Sequence, residues 1–250
     1  MSGHSKWASI KRKKGAVDAK RGQLFTKLAR AIQVAAREGG GDPVGNAALA
    51  LAVQKAKDAR MPKESIERAI AKGTGADAGG EAIEPVTYEG YGPGGVAILV
   101  EALTDNRNRT SAEVRHLFRE HGGSLGEPGS VAWTFEKKGE VVVDASRYGE
   151  DELIAAIDAG AEDVSLDGDV WEVITGPTDL AAVREALEAG GVELESAELV
   201  MRPKTTTPVE ESQVGTLMRL IEELEDHDDV QAVHANFDVD AAVLERAATA

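Results

Sequence analysis

Cysteine is absent from the 250 residues of this sequence. Its absence excludes disulfide bonds, a thiolate nucleophile and cysteine-ligated zinc, and it favours a reducing compartment. Aromatic residues are scarce, at 4%, and no apolar run approaches the roughly 18 residues that a membrane-spanning helix requires. The start of the chain also lacks the apolar segment of a secretory signal peptide. We therefore expect a cytoplasmic protein that does not enter a membrane.

Positive charge is in the minority, but it is concentrated at the start of the chain. The formal net charge is −16. Residues 1–72 carry 16 Lys and Arg against 6 Asp and Glu, a net +10, whereas the remaining 178 residues carry 12 against 38, a net −26. Such segregation attracts polyanions to the basic part and repels them from the acidic part. The sequence thus predicts that a polyanion such as nucleic acid contacts the N-terminal region.

The first 21 residues are predicted to form a flexible basic arm, because they contain few large apolar side chains. Lysine and arginine that neutralise phosphates release condensed counterions, and an aromatic ring in the same arm can stack on an unpaired base. The alternatives are a solubilising tail or an intramolecular clasp onto the acidic domains. The candidate nucleic-acid-binding residues extend from the arm into the first predicted helix: His4, Lys6, Trp7, Lys11, Arg12, Lys13, Lys14, Lys20, Arg21, Lys27 and Arg30.

Hydrophobic periodicity divides the chain into one helical and two mixed regions. Helical spacing predicts three helices in a domain of residues 22–77. Beyond the glycine-rich segment TGADAGGE, alternating patterns predict strands interleaved with helices, including a hairpin of residues 131–135 and 140–144 and a helix that begins at Thr110. This order favours α+β layers of the ferredoxin-like type over a doubly wound sheet.

The number of elements indicates how the two α+β domains are connected. Residues 131–204 contain enough strands and helices to close their own sheet. Residues 82–130 lack a second helix, which residues 205–240 can supply. We therefore predict an α+β multidomain protein in which a three-helix domain precedes two α+β domains, the third inserted into the second.

Two segments match the residue types of catalytic or phosphate-binding motifs, but not the secondary structure that those motifs require. Gly122–Gly126 fits G-x-S-x-G, but a nucleophile elbow needs a strand before the serine and a helix after it, and here a predicted helix precedes Ser124. The glycines of GYGPGG precede a strand, whereas phosphate loops precede a helix. The five histidines show no metal-binding spacing. We therefore expect that the protein is not an enzyme and that it binds no metal and no cofactor. A hydrolase that uses Ser124, or the carboxylates of Asp105 and Glu101, is a weak alternative.

The segment TDNRNRT, residues 104–110, lies between a predicted strand and a predicted helix. Thr110 and Glu113 form a capping-box pattern, which explains the end of the segment as a helix start. Capping does not account for two arginines and two asparagines in five positions. The two interpretations are a structural turn and a polar binding loop, since loops often carry function. The candidate loop residues are Asp105, Asn106, Arg107, Asn108 and Arg109.

Six segments stand in the order GHSKW, DAKRG, MPKESIERAI, YGPGG, TDNRNRT and GSVAWTFEKKG. In this order they resemble segments of the YebC family of bacterial proteins, which is related to the mitochondrial translational activator of cytochrome c oxidase. One departure is that residues 46–50 read NAALA, where the family often carries two additional cations. Another is Arg12, which stands where a histidine is usual.

The resemblance implies a fold and a function. It implies an N-terminal helical domain and two α+β domains, the third inserted into the second. It also implies a non-enzymatic, cytoplasmic regulator of gene expression, described in bacteria as a DNA-binding transcriptional regulator. A second view makes the family a ribosome-associated translation factor that relieves stalling at proline-rich sequences. The expected partners are therefore nucleic acid, either promoter DNA or rRNA or tRNA, and either the transcription machinery or the ribosome.

Overall fold

The computed structural model describes Trp7 and residues 21–75 and 82–249. Its backbone forms two compact units, one of which contains Trp133–Thr206 and is called here the inserted unit. The other contains Gly3–Ala132 and Thr207–Ala250. An N-terminal helical region therefore precedes two sheet-containing parts, and the predicted α+β fold class is confirmed. The domain limits predicted from the sequence stay a prediction, because compact units need not coincide with independently folding domains.

The helical module, residues 21–75, consists of three helices around a small apolar core. Asn46 caps the second helix by accepting a hydrogen bond from the Leu49 amide, and its side-chain amide donates to the carbonyl oxygens of Ala35 and Gly40. The cap therefore also fixes the second helix to the end of the first. The helices are α1 Arg21–Gly39, α2 Ala47–Asp58 and α3 Lys63–Gly73, and their buried residues include Leu28, Ile32, Leu49, Val53 and Ile66.

The split domain, residues 82–132 and 207–249, contains a four-stranded antiparallel sheet in the order β3-β1-β2-β9. A shorter parallel pair joins β8 to β10. The elements before the insertion are β1 Glu84–Tyr91, β2 Ala97–Thr104, α4 Arg107–Glu120 and β3 Ser124–Leu125. Those after it are β8 Thr207–Pro208, α7 Glu211–Asp226, β9 Val230–Ala235, β10 Phe237–Asp238 and α8 Ala241–Thr249.

The core of the split domain forms where α4 and α7 pack with the sheet. Phe118 of α4 and Leu217 and Leu220 of α7 are fully buried there. Gly90 of β1 is required at this contact, because a Cβ would overlap the Phe118 ring. Helix α8 lies beyond the predicted limit of this domain at residue 240, and its Leu244 is buried in the same core.

The inserted unit is a second four-stranded sheet, in the order β5-β6-β4-β7, with all neighbouring strands antiparallel. Val141, Val143 and Val173 of the sheet are buried, as are Val183 and Leu187 of a helix. The elements are β4 Phe135–Asp144, α5 Ile154–Asp158, β5 Ala161–Asp167, β6 Val170–Thr175, α6 Leu180–Ala189 and β7 Leu194–Pro203.

The predicted hairpin of residues 131–135 and 140–144 is wrong. Residues 135–144 form one strand that pairs with β7 along its length, from Phe135 opposite Pro203 to Val143 opposite Leu194. Gly139 suggested a turn, but it instead lets the strand lie close to Thr175 and Leu180. A Cβ at this position would overlap the Thr175 hydroxyl and press on Leu180.

Glu89 fixes the segment that leads into the inserted unit. Glu89 is 7% exposed, and its carboxylate accepts hydrogen bonds from the backbone amides of Gly129 at 2.6 Å, Val131 at 2.7 Å and Ala132 at 2.8 Å. Burial alone raises the pKa of Glu89, but the three backbone donors outweigh it and lower the pKa below its ordinary value. The carboxylate thus satisfies three amides that are not paired in a sheet.

Replacing Glu89 by Gln tests this arrangement. A glutamine side chain presents one acceptor oxygen and turns an NH2 group towards a backbone donor, so the free energy of unfolding should fall by about 1–3 kcal/mol. Denaturant unfolding followed by circular dichroism measures the change. Glu84→Gln on the same strand is the matched control, because the Glu84 side chain is exposed; equal stability of the two variants would contradict the role of Glu89.

Candidate nucleic-acid interface

The basic side of α1 is docked on the C-terminal end of α7. Lys27 Nζ donates to the Glu225 carbonyl oxygen at 2.5 Å, and Arg30 Nη1 donates to the Asp228 carbonyl oxygen at 2.9 Å. Gln23 adds bonds to the Asp226 carbonyl oxygen and to Asp228 Oδ1. The last carbonyls of a helix have no intrahelical partners and lie at its negative end, so cations stabilise them. Lys27 and Arg30, predicted to bind nucleic acid, thus hold the helical module on the split domain.

Asp229 lies at the centre of this docking contact. Its side chain is 2% exposed and accepts hydrogen bonds from Arg30 at 2.5 Å, Arg109 at 2.9 Å, Thr110 at 2.6 Å and Thr104 at 3.2 Å. Burial by itself raises the pKa of Asp229, but the hydrogen bonds from Thr110, Arg109 and Arg30 outweigh it and hold the pKa well below its usual range. Asp229 is therefore a buried, ionised and fully partnered carboxylate.

The neighbouring histidine adds a second bond across the same region. The Asp229 amide donates to His227 Nδ1 at 3.1 Å. Because Nδ1 accepts, the neutral ring carries its proton on Nε2, which donates to Glu113 Oε2 at 2.8 Å. The loop after α7 is thus tied to α4 as well as to α1.

The segment of residues 104–110 is organised by helix capping and by Asp229. Asn106 caps α4 by accepting a hydrogen bond from the Arg109 amide at 3.1 Å, so α4 begins at Arg107. The prediction that the helix begins at Thr110 is wrong, because Thr110 is buried in the first turn and its hydroxyl binds Asp229. Arg109 also pairs with Asp105 at 2.9 Å.

All five residues of the predicted polar loop are exposed, but the side chains of Asp105, Asn106 and Arg109 form hydrogen bonds within the chain. Arg107 and Asn108 are exposed, and the Arg107 guanidinium lies 3.9 Å from the Glu84 carboxylate, a weak and solvated pair. Binding of a partner by this loop stays a prediction, and it now concerns Arg107 and Asn108 more than Asp105, Asn106 and Arg109, whose side chains have intramolecular partners.

A cleft of about 710 Å³ opens beside the docking contact. Carboxylates outnumber cations in its lining, because Asp105, Glu113, Asp226 and Asp228 join Asp229 against Arg30 and Arg109. Both arginines are already paired with carboxylates. The cleft therefore repels phosphates and does not extend the basic region.

Six cations of α2, α3 and the turn between them are exposed, and they are called here the α2–α3 basic surface. Asp58, Glu64 and Glu67 lie among them, and Lys63 is 3.6 Å from Glu67 in an exposed pair. A surface of mixed sign with an excess of cations is suited to phosphate contacts more than to reading base edges. The six residues are Lys55, Lys57, Arg60, Lys63, Arg68 and Lys72.

Arg60 occupies a strained position in the turn. It has φ = 59° and is the one non-glycine residue with a positive φ in the described part of the chain. Its amide donates to the Lys57 carbonyl oxygen and the Met61 amide to that of Ala56, a Schellman turn in which glycine is the usual residue. An L-residue in this conformation costs about 1–2 kcal/mol. The turn thus presents a guanidinium to solvent where glycine would fold more easily.

Trp7 does not have the position predicted for it. It is 3% exposed and belongs to the apolar core of the split domain, so its ring is covered and not available to stack on a base. Burial is the expected fate of a large apolar ring in a chain with few aromatics. Arg21 is exposed at the start of α1, with its guanidinium 5.9 Å from the centre of the Phe25 ring. Outside the described residues lie His4, Lys6, Lys11, Arg12, Lys13, Lys14 and Lys20.

The segment that matches a catalytic serine motif lacks the backbone context that the motif requires. Ser124 lies in the two-residue strand β3 that follows α4, not in a turn from a strand to a helix. Gly123 is needed there because a Cβ would lie 2.6 Å from the Tyr91 carbonyl oxygen. Within the described residues, no group of His, Asp and Glu could hold a metal ion, and no helix is both long and apolar enough to cross a membrane.

Comparison with known proteins gives matches over nearly the whole chain. The family model for the TACO1/YebC protein N-terminal domain matches residues 5–76, and the model for the TACO1/YebC second and third domain matches residues 83–237.

Relatives named probable transcriptional regulatory protein are similar at full length. One from Rubrobacter xylanophilus is 60% identical over 245 residues and covers 98% of both chains. One from Desulfotalea psychrophila is 56% identical over 250 residues, 99% of this chain and 100% of the relative. The crystal structure of a conserved hypothetical protein from Aquifex aeolicus has a TM-score of 0.82 and 48% identity, over 89% of this chain and 92% of that one.

Replacing Asp229 by Asn should loosen the docking contact. The variant loses charge-assisted hydrogen bonds to two arginines, but both arginines are partly exposed and regain hydration, so the expected loss of unfolding free energy is about 2–4 kcal/mol. Because the pKa of Asp229 is lowered in the folded chain, its contribution is fully present above the unfolded value of about 3.9 and is lost as the pH falls further.

Denaturant unfolding at several pH values measures this effect. The gap between wild type and Asp229→Asn should be constant between about pH 5 and 8 and should shrink below about pH 4. Asp228→Asn is the control, since the Asp228 carboxylate is exposed and accepts one hydrogen bond from Gln23. A gap of the same size at pH 3 would contradict an ionised Asp229.

Proposed function

The chain belongs to the TACO1/YebC family, and on this premise we propose that it is a non-enzymatic regulator of gene expression that binds DNA and acts on transcription. The names of the relatives supply the class of function. The residues supply the mode of contact, which is neutralisation of backbone phosphates by the N-terminal basic region.

Arg60 is the observation that carries the proposal. Residues kept in sparsely populated backbone conformations cluster at functional sites, where the surrounding structure tolerates the strain. Arg60 stands between Lys57 and Lys63 in the chain, and all three are exposed. A guanidinium offers planar, bidentate donors that suit a phosphate. The strain is therefore understandable if Arg60 contacts the nucleic-acid backbone.

The rest of the α2–α3 basic surface supports backbone contact rather than reading of sequence. If α3 lay in a major groove, the exposed Glu64 and Glu67 would approach phosphates and bases together with Lys63 and Arg68. Direct readout needs side chains that pair with base edges, and this face offers few. Sequence preference would then depend on DNA shape or on residues elsewhere.

The same observation favours a second candidate, a translation factor that contacts rRNA and relieves stalling at proline-rich sequences. Folded RNA is recognised by shape, backbone and unpaired bases more than by a helix in a groove. A basic surface without a convincing recognition helix fits this mode. The two candidates differ in the nucleic acid that the protein contacts in cells.

Crosslinking in cells, followed by sequencing of the bound nucleic acid, separates the two candidates. We expect discrete promoter DNA with the wild-type chain, and less of it when Lys11, Arg12, Lys13 and Lys14 are replaced by alanine, because four phosphate contacts are removed. Enrichment of rRNA that decreases in the same variant would support the translation factor instead. Recovery of no nucleic acid would contradict both candidates.

Replacing Arg60 by Gly separates binding from folding. Glycine relieves the left-handed strain, so the free energy of unfolding should rise by about 1 kcal/mol. The lost phosphate contact should weaken binding to duplex DNA and reduce the slope of log K against log salt by about 0.9. Arg60→Lys keeps the charge and is the matched control. Binding by the stabilised glycine variant with an unchanged salt slope would exclude Arg60 as a contact.

A further inference from the structure

Trp133 is an exposed tryptophan in a chain with few aromatic residues. Its relative exposure is 66%, whereas Trp7 is buried and Trp171 is half-buried with its Nε1 donating to the Tyr148 carbonyl oxygen at 2.9 Å. Tryptophan offers the largest apolar surface of any side chain and is normally covered to a great extent. Because tryptophan is enriched at interfaces, this mainly exposed indole is a candidate for contact with another molecule.

The backbone places Trp133 at one end of the β4–β7 ladder. It lies in a single 3₁₀ turn, Ala132–Thr134, directly before β4. The Lys204 amide donates to the Thr134 carbonyl oxygen at 2.8 Å, and Phe135 to Lys138 pair with Pro203 to Val200. Residues 133–138 and 200–204 thus lie together, and they are called here the tryptophan end.

The cations of the inserted unit are concentrated at the tryptophan end. Residues 133–206 carry 18 Asp and Glu against 6 Lys and Arg. Four of those six cations lie at the tryptophan end, and Glu136 is the one carboxylate there. The four cations are Lys137, Lys138, Arg202 and Lys204.

Two of these four cations are available to a ligand. Lys138 Nζ is 2.6 Å from Glu162 and Arg202 is 3.6 Å from Glu172, so both are neutralised within the unit. Lys137 and Lys204 are exposed, and neither forms an ion pair with any residue of the described chain.

Three carboxylates of the inserted unit lie far from this charge. Asp144, Asp167 and Asp169 lie at the opposite end of β4, where Asp144 and Asp167 both pair with Val170. Seven residues of strand separate Lys137 from Asp144, which is about 23 Å. The Debye length at physiological ionic strength is about 8 Å, so those carboxylates are screened from a ligand at the tryptophan end.

We propose that the tryptophan end binds a single-stranded segment of nucleic acid, with an unpaired base stacked on the Trp133 indole and the flanking phosphates neutralised by Lys137 and Lys204. An exposed aromatic ring beside cations is the arrangement that single-strand-binding proteins use. A base inside a duplex is already stacked on its neighbours, so a duplex cannot use the indole in this way. The inference rests on the proposed function and specifies the form of nucleic acid bound.

Fluorescence anisotropy tests the proposal with the full chain and labelled 12-nucleotide probes: single-stranded RNA, single-stranded DNA and duplex DNA. Trp133→Ala should weaken binding of both single strands by about 5- to 100-fold, the range that loss of one stacked base gives. Duplex binding should be unchanged, and Trp133→Phe should retain most of the single-strand affinity. Lys137→Ala and Lys204→Ala should each reduce the salt slope on single strands by about 0.7.

Tryptophan emission gives an independent readout. Single strands should quench the emission of the wild-type chain, and the quenching should be absent in Trp133→Phe, because Trp7 and Trp171 are sheltered. Leu166→Ala is the matched control, since Leu166 is an exposed apolar residue of the same unit that lies outside the tryptophan end. Thermal unfolding of each variant checks that the fold is retained.

The outcomes separate this proposal from the proposed function. If Trp133→Ala binds single strands as the wild type does, and the wild type shows no quenching, the stacking proposal is overturned while duplex binding still supports the proposed function. If the wild type binds none of the three probes, the proposed function is overturned and this proposal with it. A loss confined to RNA or to DNA supports stacking and identifies which of the two is the ligand.

Discussion

The structure depends above all on the buried carboxylate of Asp229. It accepts hydrogen bonds from residues of β2, α4 and α1, and so joins the helical module to the split domain at one point. A buried charge without partners is costly, and a buried charge with four donors specifies the geometry of each donor. Asp229 therefore links the first turn of α4, the end of β2 and helix α1 at the loop that follows α7.

This docking contact uses some of the cations in the first third of the chain for bonds within the protein. Lys27 and Arg30 neutralise carbonyls and a carboxylate of the split domain, and Trp7 packs in its core. Part of the basic region is thus structural, whereas the cations of α2, α3 and the turn between them face solvent, as do Arg21 and Arg37 of α1. Net charge locates a binding region, but only the contacts decide which cations remain available to a partner.

The fold was largely predictable because local signals agree with it: helical spacing in residues 22–77, alternation afterwards, and too few elements in residues 82–130 to complete a domain. The docking contact was not, because Asp229 lies 199 residues from Arg30 and 120 from Arg109. Gly139 and Arg60 each depart from local propensity, in opposite ways. The glycine suggested a turn where a strand needs space, and the arginine occupies a turn position where propensity favours glycine.

The position of Asp229 near the end of the chain has a consequence for biosynthesis. A ribosome completes the helical module, β1, β2 and α4 long before residue 229 is made, and during that time Arg30 and Arg109 lack their carboxylate. β9, which completes the first sheet beside β2, also follows Asp229 in the chain. The bonds of Asp229 and the pairing of β9 with β2 therefore form late in synthesis, and a chain truncated before residue 229 lacks both.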